Sequence, residues 1–127
     1  MKKKIIAAIC LVCLSVPVIA SAGTTGWVNG YLNNHSIRAK LEGYNDTGIA
    51  RTELVSCTGG NCTHGLYTYI EGISSNGALI RPGVEEWESN AYATGYISQY
   101  VPGAAYFNSR HSTVTNDSSK YLQIHNN

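Results

Sequence analysis

The apolar and polar residues of this chain alternate with the two-residue period that is typical of β-strands. Over residues 37–41 apolar residues alternate with charged ones, and over residues 64–71 Tyr67 and Tyr69 occupy the face opposite the aliphatic side chains. Glycine interrupts nearly every window in which a helical period could develop. The pattern therefore predicts an all-β protein.

Turn-forming residues divide these runs into about eight short strands, at spacings that are typical of an antiparallel sandwich or barrel. A further segment, residues 84–89, fits either one helical turn or an acidic edge strand. We expect a small antiparallel β-sandwich in a single domain. The predicted strands are residues 27–32, 37–41, 49–57, 64–71, 78–81, 91–98, 104–114 and 120–125.

The N-terminal residues have the three parts of a secretory signal peptide. Lysines occupy positions 2–4, residues 5–16 are apolar, and Ala20-Ser21-Ala22 matches a cleavage site. The apolar run is shorter than the roughly 20 residues that span a bilayer, so we expect no transmembrane segment. Residues 1–22 are predicted to be a cleaved leader, and residues 23–127 a secreted mature domain, extracellular or, in a Gram-negative source, periplasmic.

Removal of the leader changes the charge of the protein. Three of the nine basic residues lie in the leader, which leaves six basic against eight acidic residues in the mature domain. Nucleic acids and anionic lipids are disfavoured partners, because phosphate binding needs clustered Lys and Arg. No phosphate loop, nucleophile elbow or zinc-protease motif occurs. We expect no cofactor and no metal, and the expected partner is an extracellular or cell-surface target.

Two cysteines, Cys57 and Cys62, remain in the predicted mature domain. An even pair of cysteines in an exported protein predicts a disulfide. The four residues between them are turn formers, so we expect the pair to close a hairpin tip whose arms are residues 49–55 and 66–70. A structural zinc site normally needs four ligands, and a redox motif has two intervening residues rather than four.

The glutamates at positions 85, 86 and 88 form the single acidic cluster of the sequence. Paired carboxylates can carry out glycoside hydrolysis, and a secreted hydrolase that uses Glu85, Glu86 or Glu88 with His111 is one alternative function. Short acidic runs also protect the edge of a sheet from pairing with another chain, and this second interpretation is favoured here. We therefore expect that the protein is not an enzyme.

The nine tyrosines of the chain indicate a binding surface. Tyrosine can bury its ring and keep its hydroxyl in water, which suits exposed binding faces. The predicted surface combines two tyrosines of the strand at 91–98 with residues of the strand at 104–114. Its residues are Tyr92, Tyr96, Tyr106, Phe107 and His111.

Several loosely spaced features of the mature domain match those of a known family. They are Trp27 and Tyr31, His35-Ser36 with Ala39, Asn45 with Thr47-Gly48, Ala91-Tyr92-Ala93, and Ala-Ala-Tyr-Phe-Asn at residues 104–108. Through them, about two-thirds of the mature domain resembles the small secreted bacteriocins typified by lactococcin 972. This resemblance implies a secreted β-sandwich that interferes with septum formation in susceptible bacteria through the cell-wall precursor lipid II.

The chain also differs from that family. It is longer, it carries the Cys57/Cys62 pair, and it continues for nineteen residues beyond Asn108. No functional residue is carried over from the resemblance. The preferred hypothesis is a secreted, bacteriocin-like binding protein directed at bacterial cell surfaces, and the alternatives are the hydrolase above or an extracellular enzyme inhibitor that presents the Cys57–Cys62 hairpin.

Overall fold

The computed structural model describes residues 18–20, 23–32, 35–57, 65–89, 92–113 and 119–126. These ranges contain nine strands and no helix. The strands are β1 (Val18–Ala20), β2 (Val28–Leu32), β3 (His35–Tyr44), β4 (Thr47–Cys57), β5 (Leu66–Ile73), β6 (Val84–Glu88), β7 (Ile97–Tyr100), β8 (Tyr106–Thr113) and β9 (Lys120–His125).

The strands form two sheets. The five-stranded sheet has the order β1-β9-β8-β5-β6, and the four-stranded sheet has the order β2-β3-β4-β7. Every neighbouring pair is antiparallel except β1 and β9, which are parallel. The prediction of an all-β protein with a small antiparallel sandwich is confirmed.

The core lies between the two sheets and follows from the alternation within each strand. In β3 the alternate residues Ile37, Ala39 and Leu41 are fully buried, while the residues between them are partly exposed. The ring of Phe107 from β8 crosses the core and packs on Gly48 of β4, where a Cβ atom would overlap it. The other buried members of this cluster are Ala50, Ile70, Val101, Ala104, Leu122 and Ile124.

One of the turns that the sequence indicated connects two neighbouring strands. Asn45 and Asp46 link β3 to β4, and both have positive φ, of 48° and 64°. This combination matches the two-residue turn whose twist suits an antiparallel hairpin.

The acidic segment is the edge strand β6, which pairs with β5, so the edge-strand interpretation of residues 84–89 is confirmed.

The predicted hairpin at the cysteines is wrong. Strand β4 pairs with β3 and β7, whereas β5 pairs with β6 and β8, so the connection between them crosses from one sheet to the other. Antiparallel strands that pack face to face cannot form the arms of one hairpin, because hairpin arms hydrogen-bond to each other. Cys57 ends β4, but its side chain and the whole of Cys62 lie outside the described residues, and their disulfide stays a prediction.

Strand β1 belongs to the segment predicted to be the leader. It pairs with β9 from Val18↔Leu122 to Ala20↔Ile124. Removal of residues 1–22 would leave β9 as an edge strand of the five-stranded sheet. In the described residues there is no helix with the length and apolar character that a membrane crossing requires.

Candidate functional site

The outer face of the five-stranded sheet carries an open groove of about 480 Å³. This volume lies within the range of about 300–1,000 Å³ that is usual for ligand pockets. The lining comes from outward-pointing positions of β5, β6, β8 and β9. We call it the tyrosine groove, and its side chains are those of Tyr67, Tyr69, Glu71, Glu85, Asn108, Arg110, Tyr121 and Gln123.

The register of the sheet arranges these side chains in rows across the strands. In the central row Glu85 of β6 faces Tyr69 of β5, Tyr69 faces Arg110 of β8, and Arg110 faces Tyr121 of β9. Neighbouring strands lie about 4.8 Å apart, so directly opposed side chains are in contact distance of one another. Four segments of the chain thus contribute one residue each to a continuous strip.

Two further rows flank the central one. On one side Glu71, Asn108 and Gln123 face one another on β5, β8 and β9. On the other side Tyr67 faces Trp87 of β6, and their ring centroids are 4.3 Å apart. A second cavity of about 300 Å³ continues the groove past Trp87.

Hydrogen bonds connect the central row to the row of Tyr67. Arg110 Nη2 donates to Tyr67 Oη at 2.8 Å, and Tyr67 Oη donates to Glu85 Oε2 at 2.9 Å. The Arg110 guanidinium also lies 5.2 Å from the centre of the Tyr67 ring and 5.3 Å from that of Tyr69. The phenol of Tyr67 therefore bridges a cation and a carboxylate on two different strands.

A second hydrogen-bonded chain holds the other side of the groove. Tyr69 Oη donates to Glu71 Oε2 at 2.6 Å, and Asn108 Nδ2 approaches Glu71 Oε1 at 3.5 Å. Gln123 Nε2 donates to Asn108 Oδ1 at 2.7 Å. The ring of Tyr69 packs on Gly83, where a Cβ atom would overlap it. Packing and hydrogen bonds together fix the rotamers of the groove.

The electrostatics of the groove keep its phenols protonated. Burial, and then the hydrogen bond to Glu71, raise the pKa of Tyr69 to about 12. Burial also raises the pKa of Tyr67, against the opposing effect of Arg110. The hydrogen bond to Tyr67 raises the pKa of Arg110. At neutral pH both phenols therefore keep their protons, which they donate to Glu85 and Glu71.

The five residues predicted to form a tyrosine surface do not come together. Tyr92 and Tyr96 are exposed beside β4 and β7 of the four-stranded sheet, and Arg51 stacks 4.6 Å from the Tyr96 ring. Tyr106 lies on the outer face of the other sheet, against His125. A single surface made of Tyr92, Tyr96, Tyr106, Phe107 and His111 is therefore excluded by this fold.

Phe107 and His111 are fully buried, which contradicts their predicted exposure. They occupy inward positions of β8, alternating with Asn108 and Arg110. Asn108 and Arg110, on the outward face of the same strand, are the residues of this segment that reach the groove.

His111 is part of a buried polar network between the sheets. Its Nδ1 is 2.8 Å from Thr52 Oγ1, and its Nε2 is 2.7 Å from Ser109 Oγ. Thr52 Oγ1 also lies 2.6 Å from Thr68 Oγ1, which lies 2.8 Å from Thr94 Oγ1. Burial lowers the pKa of His111 to about 3, so its imidazole is neutral. This neutral ring holds two sheets together and does not reach solvent.

The acidic cluster is divided between the two faces of the sheet. Glu85 lines the groove, whereas Glu86 pairs with the inward-facing Thr68 and therefore lies on the opposite face of β6, with Glu88. Burial, and then the hydrogen bond with Glu88, raise the pKa of Glu86. Glu85, Glu86, Glu88 and His111 consequently do not converge on one site. Among the described residues no group of three or more His, Cys, Asp or Glu could hold a metal ion.

The sequence pattern contains one signal for the groove, in the alternation of the fifth strand. It placed Tyr67 and Tyr69 on the outward face of their strand, but it did not assign them to a site. Glu71 carries no distinguishing motif. A scan against models of protein families, a search of curated proteins and a search of solved structures each found no match.

Proposed function

We propose that this protein is an exported, non-enzymatic binding protein that acts at bacterial cell surfaces and takes its ligand in the tyrosine groove. The observation that carries the proposal is the set of three rows of aromatic and polar side chains across β6, β5, β8 and β9. Such a strip is a binding surface in its own right, since its rings supply contact area and its polar groups supply direction.

The rigidity of the groove supports a binding function. Tyr67 is 3% exposed, and its hydroxyl is held by Arg110 and Glu85. Tyr69 is fixed by Glu71 and by the backbone at Gly83. Side chains that are ordered before the ligand arrives lose little entropy when it binds, which favours affinity.

The state of the groove carboxylates supports binding rather than catalysis. Glu71 and Glu85 each accept a hydrogen bond from a tyrosine hydroxyl, and the hydroxyl on Glu85, that of Tyr67, also accepts from Arg110. A general acid or base needs a partner and a reacting atom within hydrogen-bond reach. The histidine that the hydrolase alternative required is buried in the core.

The predicted leader and the resemblance to lactococcin 972-type bacteriocins support the location of the target. A signal peptide directs the mature domain to a place where bacterial surfaces are the available partners. Residues 1–22 would be removed on the way, so the mature chain would begin at Gly23.

The proposal is tested by expressing the full chain with its leader in a bacterium, identifying the N-terminus of the exported form, and measuring its binding to intact bacterial cells. We expect a chain that begins at Gly23. The double variant Tyr69→Ala/Arg110→Ala should lose at least about tenfold in affinity, as truncation of central aromatic and arginine contacts often does.

The matched control is Tyr92→Ala/Tyr96→Ala, which removes two exposed rings from the other sheet. We expect this control to bind as the native protein does. If the control loses binding and the groove variant keeps it, the binding surface is the four-stranded sheet and the proposal is wrong.

A further inference from the structure

We infer that the ligand of the tyrosine groove is a neutral saccharide chain, such as a cell-wall glycan. This inference rests on the proposed function and adds the chemical class of the ligand. Four features of the groove carry it: exposed aromatic rings, a mixed set of donors and acceptors, a charge that disfavours anions, and a location on the face of a sheet rather than at its edge.

The exposed rings provide stacking surfaces. Trp87 is 53% exposed and Tyr121 is 44% exposed, and both adjoin the floor formed by Tyr67 and Arg110. A pyranose ring has a face of C–H groups, and that face packs on an aromatic ring in the way other apolar surfaces do. The two rings lie on opposite sides of the groove, on β6 and β9.

The polar groups match a ligand that is rich in hydroxyls. Glu71 accepts bonds from Tyr69 and Asn108, and an ionised carboxylate offers about four acceptor sites in all. The amides of Gln123 and Asn108 each carry two donor hydrogens and one acceptor oxygen. The bond between them uses one donor of Gln123 and the oxygen of Asn108. A sugar hydroxyl both donates and accepts, so it can bind to either kind of group.

The charge of the groove disfavours anionic ligands. Arg110 contributes one positive charge, and Glu71 and Glu85 contribute two negative ones. Phosphate polymers and nucleic acids need clusters of cationic side chains, which this groove does not have. A neutral ligand avoids repulsion by the two carboxylates and still uses their hydrogen-bonding capacity.

The position of the groove disfavours an extended peptide. Peptides commonly bind to β-proteins by adding a strand to a sheet edge, where main-chain groups are available. The groove lies across β5 and β8, which are hydrogen-bonded to neighbours on both sides. Recognition there depends on side chains alone. The groove also continues into the second cavity, which leaves room for more than one sugar ring.

The first test compares cells treated with periodate, which cleaves sugar diols, with cells treated with protease. If the inference is right, periodate lowers binding of the exported protein at least about tenfold and protease leaves it unchanged. Binding that survives periodate and is lost after protease treatment overturns the inference and leaves the proposed function standing.

The second test needs no cells and uses the fluorescence of Trp87. The chain has two tryptophans, so Trp27→Phe leaves Trp87 as the reporter. Titration with purified, neutral cell-wall polysaccharide should change its emission saturably, and polygalacturonate, an anionic control, should not. Gly83→Ala should weaken this response because its Cβ displaces the Tyr69 ring, while Gly30→Ala, whose Cβ has ordinary contacts at 3.6 Å, should not.

The two tests separate the possible failures. Absence of cell binding overturns the proposed function. Absence of a saturable Trp87 response to the polysaccharide, in a protein that binds cells, overturns the saccharide inference alone. A response to polygalacturonate equal to that of the neutral polymer overturns the argument from charge.

Discussion

Arg110 Nη2 donates a hydrogen bond to Tyr67 Oη at 2.8 Å, although the two residues are 43 positions apart in the sequence. The salt bridges of the described residues, Arg38–Glu53, Lys40–Glu42 and Arg51–Glu53, join residues of the four-stranded sheet. Arg110 instead meets the carboxylate of Glu85 through the tyrosine hydroxyl. Arg110 and Glu85 are thus connected through a tyrosine hydroxyl and not by a direct ion pair.

Tyr67→Phe tests this arrangement. The substitution removes one oxygen and leaves the ring, so Arg110 and Glu85 both lose a charge-assisted hydrogen bond in a partly buried setting. We expect unfolding in urea to show a loss of about 1–3 kcal/mol. Tyr100→Phe, an exposed position on the other sheet, should change stability by no more than about 0.5 kcal/mol. Equal effects at the two positions would show that the Tyr67 bridge contributes nothing specific.

The buried His111 predicts a loss of stability in acid. Its pKa is about 3 in the folded state and about 6.5 in the unfolded state, so the unfolded chain takes up the proton first as the pH falls. Stability is fully present above about pH 6.5 and declines below it by about 1.4 kcal/mol for each pH unit. Urea unfolding between about pH 7 and pH 5 measures this slope, above the range in which most carboxyls titrate.

The ring-proton resonances of His111 provide the direct check on that slope. In the folded protein they should not titrate down to about pH 4. His111→Gln should flatten the pH dependence while lowering stability at neutral pH, since Thr52 and Ser109 lose the imidazole. A folded-state His111 that titrates near its ordinary pKa would contradict its place in the core.

Gly48→Ala should destabilise the sandwich. The added Cβ overlaps the Phe107 ring and the Ile70 side chain, which belong to the opposite sheet. Overpacking of this kind usually costs about 1–3 kcal/mol, and thermal unfolding would measure it. The matched control is again Gly30→Ala, a strand glycine with room for a methyl group. A stability of Gly48→Ala equal to that of the control would show that the sheets do not pack this closely.

The phenol of Tyr69 should ionise at a higher pH than an ordinary tyrosine does. Its pKa is raised to about 12, so its phenolate absorbance should appear about two pH units above that of an ordinary tyrosine. Neutral Tyr69 contributes stability below pH 10, and this contribution is lost as the pH rises toward 12. Ultraviolet titration of the native protein and of Tyr69→Phe, taken as a difference, isolates this one group. A difference curve centred near pH 10 would contradict the raised pKa of Tyr69.

Cys57 and Cys62 should be bonded in the exported protein. The mass of native protein should be lower than that of reduced protein by two hydrogens, and alkylation without reductant should modify neither thiol. Because the loop is short, Cys57→Ala/Cys62→Ala should leave the fold intact and cost about 2 kcal/mol. Two thiols that alkylate freely in native material would refute the disulfide.

The alternation of side chains was sufficient to predict the fold class and much of the core. Ile37, Ala39 and Leu41 were assigned to one face, and they are buried. In the predicted strand at 120–125, Leu122 and Ile124 alternate with polar or aromatic residues, and they are buried as well. Such assignments are local, because successive residues of any strand point to opposite faces and apolar ones are driven to the covered face.

Which residues of a strand face inward is harder to predict where the strand adjoins an irregular segment. Strict alternation along the predicted strand at 91–98 would put Tyr92, Thr94 and Tyr96 on one face, yet Thr94 is buried beside Thr52 while Tyr92 and Tyr96 are exposed. Regular pairing begins only at Ile97, so simple alternation does not hold across residues 92–96. In β8 the alternation is regular, but residue type alone does not show that Phe107 and His111 face inward, because an aromatic ring and a histidine suit either face.

The sequence by itself determined that the chain forms strands, where several of them turn, and which residues of a regular strand are buried. These properties depend on neighbours a few positions away. Only the tertiary structure decided that β4 and β5 lie in different sheets, and that Glu85, Tyr69, Arg110 and Tyr121 face one another across four strands. Strand order and register depend on contacts between distant segments, and a period of two residues is the same for every possible partner strand.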